Sequence, residues 1–311
     1  MKNKLIFVRN LLVLALVFTI GITVVASSAE DAHAQAIRNN AGFTSNVLAP
    51  NDDGSTGPVA IGFMVDFFNV MTGNLFVNNN GNITFDFPLN TFTPFDLTST
   101  GQQIIAPFFA DVDTRVFGSP VTYGQDTVNG RQAFGVNWVN VDCFAAGAPN
   151  PLGLNDFQLV IIERFDTGPG NFDFEFNYDT IMWETGQASG GSPTCLGGAS
   201  ARVGYSDGSG NPGTFFELAG SAVPGAFLDS NGATGLIHNS IPPNTQPSGR
   251  YLFEVREGSV SIPTPIVFGE ISDIDTTALL LAGFQANLVW MVPIGISSVV
   301  TVGYLTRNRW S

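Results

Sequence analysis

The chain has 311 residues, a formal net charge of −14 and 44% hydrophobic residues. That apolar share excludes a disordered chain, and the length allows one or two domains. Only 12% of residues are charged, while Gly and Phe number 35 and 27, a mix that suits short strands joined by tight turns.

The N-terminus reads as a secretory signal over residues 1–36. Lys2, Lys4 and Arg9 form a basic region, Leu11 to Ala26 an apolar core, and Ala32-His33-Ala34 or Ala34-Gln35-Ala36 a small-x-small cleavage site. Between residues 37 and 275 the basic side chains are seven arginines, Arg38, Arg115, Arg131, Arg164, Arg202, Arg250 and Arg256, with no lysine. Against them stand 24 acids (26 in the chain less Glu30 and Asp31), a net of −17. Such a surface repels nucleic acid, whose binding rests on Lys and Arg neutralising phosphates.

Residues 37–60 read as an extension ahead of the folded domain, turn-rich and polar, with Asn51-Asp52-Asp53-Gly54 as a turn. A strand is predicted over Ile61–Phe68 and another at Leu75-Phe76-Val77. The turn Asn78 to Asn82, with its Asn-Gly pair, leads into the alternating Ile83–Phe87. Asn82-Ile83-Thr84 is the chain's N-x-S/T sequon and offers Asn82 as a glycan acceptor. In Gln102–Asp113, Ile104, Ile105, Phe108 and Phe109 supply core, and Pro107 opposes a regular helix. Asp111 and Asp113 stand two apart, so on a strand they face one side.

Gln132–Phe144 reads as a strand with Phe134, Val136 and Trp138 on one face. Phe157–Phe165 is apolar on both faces, as in a central strand covered on both sides. After Thr167-Gly168-Pro169-Gly170, Phe172, Phe174, Phe176 and Tyr178 alternate with Asp173, Glu175, Asn177 and Asp179. Period two places the aromatics on one face and the polar groups on the other. These three segments are expected to pair as an antiparallel meander. The aromatic face is expected in the core, and Asp173, Glu175 and Asp179 in solvent. Ala201–Tyr205, Phe215–Leu218 and Gly249–Glu254 complete the strand set. Cys143 and Cys195, an even pair in an exported region, are expected to bond to each other.

Residues 258–275 form a linker. The apolar stretch at 276–306 is long enough to cross a membrane, and Arg307 and Arg309 in the tail 307–311 then place that tail in the cytoplasm; the alternative is a sorting tail removed after export, although no LPxTG-type motif precedes it.

Several of these stretches resemble one family. "NFDFEFNYDTIMWETGQASGG" (171–191) is similar to the hallmark stretch of the nidogen-like extracellular (NIDO) domain. So are the hairpin "GNLFVNNNGNITFDFP", the element "APFFADVD" with Phe109 where the family usually has Trp, "ARVGYSDGSG" with "FFELAGS", and the closing "GRYLFEV". In order, these matches cover residues 61–257. The resemblance implies an extracellular all-β module associated with cell–matrix adhesion, with no catalytic activity to carry over.

The chemistry-bearing residues are few. His33 and His238 are the two histidines, too few for a His-rich zinc site, and no G-x-S-x-G elbow accompanies His238. Gly208 to Gly213 matches G-x-G-x-x-G, but Pro212 and the strand-like Phe215-Phe216 follow where a helix must begin. Calcium is the cofactor that an acidic extracellular surface suits best, with Asp111 and Asp113 as the candidate ligands and Asp52 and Asp53 behind them. The alternative is that these carboxylates only accept backbone hydrogen bonds.

Together these readings define an antiparallel β-sandwich ectodomain with a signal peptide and one C-terminal transmembrane helix. It would be a single-pass type I surface protein for non-enzymatic adhesion or recognition. The expected partner is an extracellular matrix or cell-surface protein or a polysaccharide. A glycan-binding module is the first alternative, and a glycoside hydrolase using two of Glu163, Glu175 and Glu184 is the second.

Overall fold

Alternating aromatic and β-branched residues build the strands, and the strand pairs among the described residues are antiparallel, with one isolated parallel bridge between Ile241 and Tyr251. The computed structural model describes residues 35–145 and 150–263. The expected signal segment, apart from its last two residues, and the expected span at 276–306 lie outside the described residues. Among the described residues no helix is long and apolar enough to cross a membrane.

The strands run β1 (Asn46–Val47), β2 (Val59–Phe67), β3 (Val70–Asn78), β4 (Asn82–Thr84), β5 (Ile104–Phe109), β6 (Val112–Asp113) and β7 (Thr122–Val128). Then follow β8 (Arg131–Cys143), β9 (Asn155–Glu163), β10 (Phe172–Thr180), β11 (Arg202–Ser206), β12 (Phe215–Glu217), β13 (Arg250–Arg256) and β14 (Ser259–Ser261). One sheet has the order β1-β7-β8-β9-β10-β13-β14, with β6 added beside the end of β8, and the other β12-β11-β5-β4-β3-β2.

The expected meander is present: β9 pairs with β8 and with β10, placing Phe174 opposite Ile161 and Phe176 opposite Leu159. On the other side of β10, Phe174 stands opposite Phe253 of β13, their rings stacked 4.8 Å apart. The sheets meet through the aromatic row. Phe174 and Phe253 each lie 5.8 Å from Tyr205 of β11, and Phe157 lies 5.1 Å from Phe108 of β5. One buried cluster runs from β2, β3 and β5 to β8, β9, β10 and β13. Each buried Phe contributes about 1.5–3 kcal/mol of transfer free energy, with ring pairing adding to it.

The outer face of the larger sheet is also covered, which answers the two-sided apolar pattern of β9. Val160 and Ile162 pack with Val128, Ala133 and Phe43. Phe43 belongs to the stretch 37–60, whose sequence reads as an extension. Residues 36–47 instead lie as a strap across the sheet. Ile37 N–H donates to Asp179, Arg38 N–H to Gln158 Oε1, and Gln158 Nε2 donates back to the Arg38 carbonyl. The strap ends as β1, paired to β7. A glycine is required beneath Phe43, since a Cβ on Gly135 would lie 2.3 Å from its ring.

The strap corrects the expectation of a solvated acidic face. Asp173 and Glu175 are buried, Glu175 to 3% exposure. Arg38 grips Glu175 with two bonds of 2.7 and 2.8 Å, and Arg164 and Arg256 reach Asp173 at 2.6 and 2.7 Å. Asp179, half-buried, accepts the N–H groups of Ala36 and Ile37. A charged sheet face can be covered only when each carboxylate finds a cation or donor: the strap brings them to Glu175 and Asp179, and Arg164 and Arg256 bring them to Asp173.

The sequon reading also meets a physical obstacle. Asn82 is 0% exposed, its Nδ2 donates to the Asn80 carbonyl and its Oδ1 accepts from Asn78. A glycan on that nitrogen has no space in the folded chain.

Cys143, at the end of β8, is bonded to Cys195 in the loop before β11, across 52 positions. Replacing both by serine is expected to cost about 3–4 kcal/mol in urea unfolding, matched by reduction of the wild type. Phe43→Ala is expected to cost about 3–5 kcal/mol by the same measurement, the effect of emptying a sealed aromatic site. A loss below 1 kcal/mol would show that the strap is not part of the cooperative unit.

Candidate functional site

The turn Asn79-Asn80-Gly81 between β3 and β4 does more than reverse the chain. Asn79 Nδ2 donates to the carbonyls of Asp52 and Val112, while its Oδ1 accepts from Thr114. Its carbonyl accepts from the indole of Trp138 at 2.9 Å. Asn80 Oδ1 accepts from Val112 N–H, and Asn80 Nδ2 donates to Asp53 Oδ1 at 2.9 Å. These buried amides tie the loop 51–54 to the corner between β5 and β6. Side chains that satisfy so many buried backbone groups fix a local geometry as tightly as a ladder does.

Three carboxylates converge where those pieces meet. Asp52, Asp53 and Asp111 each present an oxygen within 4.8 Å of the other two. Asp111 sits at the corner itself, after β5 has ended at Phe109, and is 1% exposed. Its backbone neighbour is Gly186, where a Cβ would lie 2.1 Å from Asp111 Oδ2, so only glycine fits. Burial pushes the Asp111 carboxyl up to about 7, and the charges of Asp52 and Asp53 add to the shift. Asp52 is pushed up to about 6, by burial first and then by Asp113 and Asp53, with Arg115 opposing.

Asp113 is not in the cluster. Asp111 lies outside the strands, so the two-residue spacing does not put both on one side. Asp113 instead accepts from the Arg115 backbone N–H and from its guanidinium at 2.9 and 2.8 Å. Asp52 and Asp53, the secondary candidates, take its place. The amides of Asn79 and Asn80 and the close approach of Gly186 were missed by the sequence reading. The signal available was an excess of amides: a two-residue turn needs one Asn-Gly pair, and this one has four asparagines in five positions.

The other chemistry-bearing groups are committed elsewhere. Glu184, fully buried, accepts from the N–H groups of Gly225 and Phe227 and from Ser200, which draws the loop after β12 inward. Burial raises its carboxyl above the usual range. Glu175 is held by Arg38. His238 Nε2 lies 2.8 Å from the Asp229 carbonyl. Asp207 accepts from Ser209 and Thr214 and closes its own turn. Each of the seven arginines is ion-paired: Arg115 to Asp52 and Asp113, Arg131 to Asp166, Arg202 to Glu217, and the remaining four around Asp173 and Glu175.

A disulfide-linked, two-sheet β domain whose buried acids serve as structural clamps, with a carboxylate cluster at one corner, belongs to the class of extracellular-type β modules. The nidogen-like domain family matches residues 73–129 and 119–257, and the chain belongs to that family. It is 32% identical over 228 residues to alpha-tectorin of Mus musculus, covering 66% of this chain and 10% of the relative. Alpha-tectorin of Gallus gallus is 33% identical over 196 residues, covering 56% of this chain and 9% of the relative. Nidogen-2 of Mus musculus is 35% identical over 82 residues, or 26% of this chain and 6% of the relative. The chain thus spans about a tenth or less of the length of the curated relatives it matches. No solved structure matches it significantly.

Asn79→Ala is expected to cost roughly 2–4 kcal/mol, because several buried groups lose their partner at once. Limited proteolysis of that variant should cut within residues 48–54 before any other site. Cleavage elsewhere first would show that the amide does not hold the loop.

Proposed function

We propose that the chain is a non-enzymatic adhesion or recognition protein of the cell surface. Its nidogen-like domain would bind an extracellular matrix protein, a cell-surface protein or a polysaccharide. The observation that carries the reading is family membership combined with the state of the acids. Of the three carboxylates that would serve a hydrolase, Glu175 and Glu184 are buried and held by Arg38 and by backbone N–H groups, and Glu163 is half-exposed at the end of β9. Neither buried acid stands free beside a cleft with a second carboxyl, which glycoside hydrolysis needs. The span at 276–306 would hold the domain at the membrane, with the tail 307–311 inside.

The glycan-binding alternative has less support. Sugar platforms use exposed aromatic faces, yet Trp138, Trp183, Tyr178, Tyr205 and Tyr251 are buried. The exposed rings Phe87, Phe117 and Phe165 sit on three separate connections.

Retention of the full chain on surfaces coated with matrix proteins or polysaccharides tests the proposal. Saturable retention that survives Glu175→Gln is the expected result. No retention on any coating, together with polysaccharide cleavage that Glu175→Gln abolishes, would replace adhesion by hydrolysis.

A further inference from the structure

We propose that Asp52, Asp53 and Asp111 form a calcium site that locks the loop 51–54 onto the corner between β5 and β6. Clusters of surface acids are common, and convergence alone is no argument for a cation. Two features set this one apart. Asp111 is 1% exposed, yet among the described residues its carboxylate has one hydrogen bond, a contact with Ser189 Oγ at 3.5 Å. That is the long limit of a hydrogen bond, and the same hydroxyl lies 2.9 Å from Thr93 Oγ1, which competes for it. The Asp52 side chain is 23% exposed and its Oδ2 meets Arg115 at 3.0 Å, but its Oδ1 is buried with no partner among the described residues. A buried carboxylate without donors costs several kcal/mol, and elsewhere in this domain such acids are clamped by arginine or by N–H groups. Here the one nearby guanidinium is shared with Asp113.

The donor chemistry names the ion. The cluster offers hard carboxylate oxygens, with no imidazole or thiolate among them, which selects against zinc and copper. The ligands come from an irregular loop and a strand corner rather than from one regular element, and such an oxygen set suits the irregular, higher coordination of calcium better than the strict octahedron of magnesium. Asp53 is already oriented by Asn80, and the loop is anchored by Asn79, so the ligands are positioned before an ion arrives. This inference is independent of the adhesion reading and stands or falls without it.

The test is calorimetric titration of the chelator-treated full chain with calcium chloride at about pH 8, above the raised carboxyl range. One site is expected, with Kd of about 10⁻⁴–10⁻³ M, as in extracellular modules. Calcium at about ten times Kd should raise Tm by roughly 3–5 °C. Asp111→Asn should fold, because the amide relieves the repulsion, and should weaken binding at least about tenfold. Asp52→Asn gives the same reading from the loop side if the first variant fails to fold. Asp207→Asn, in an unrelated turn, should leave the response unchanged. Absence of both heat and Tm shift in the wild type would overturn the proposal. So would binding that persists unweakened in Asp111→Asn and Asp52→Asn. Magnesium binding as tightly as calcium would overturn the choice of ion.

Discussion

The paired bonds from Arg38 to Glu175 decide what kind of sheet this is. The central strand β10 carries aromatics on one side and carboxylates on the other, and a carboxylate face normally stays wet. With Arg38 delivered by the strap, and Arg164, Arg250 and Arg256 arriving from β13 and the end of β9, that face can be dried and covered. Ion pairs of this kind add little net stability over an apolar replacement, because desolvation offsets most of the attraction. Their effect is on specificity: with an acidic stripe in place, only a covering segment that brings cations can dock there. Phe43 then supplies the apolar contact that makes docking favourable.

A second consequence concerns charge. All seven arginines are used internally or at the surface to neutralise particular acids. The acids in surplus are therefore left, among the described residues, without a cation of their own. Some of that surplus turns inward: Glu184 and Asp142 are buried on backbone N–H groups, and three more acids meet at the corner built on Asn79 and Asn80. Three carboxylates crowd there, and the scaffold holding them is made of neutral amides, which orient acids but do not cancel them.

Much of the β architecture was legible because its signals are local. Period-two alternation revealed β10, two-sided apolarity revealed β9, and Asn80-Gly81 revealed the turn between β3 and β4. The cysteine pair was legible from parity and from its exported setting. What escaped was set by tertiary contacts. The strand β7, TYGQDTV, has a weak alternation and is identified by its pairing with β8. The strap has no period at all, and its place follows from partners more than 100 positions away. Asp113 looked equivalent to Asp111 because spacing assumes an unbroken strand, whereas the ladder stops between them. The acids of β10 looked solvated because periodicity separates two faces without saying what covers either one.

The strap has an implication for the order of events as the chain is made. Its residues precede the strands they cover, yet the Ala36 carbonyl accepts from Arg250, 214 positions later, and Arg38 pairs with Glu175, 137 positions later. Contacts of such separation are the slowest to form, since a long loop must close before they repay the entropy. The larger sheet therefore cannot be sealed piecemeal during synthesis. The contacts that fasten the strap over its outer face draw on residues as late as β13, so that cover depends on the far end of the domain.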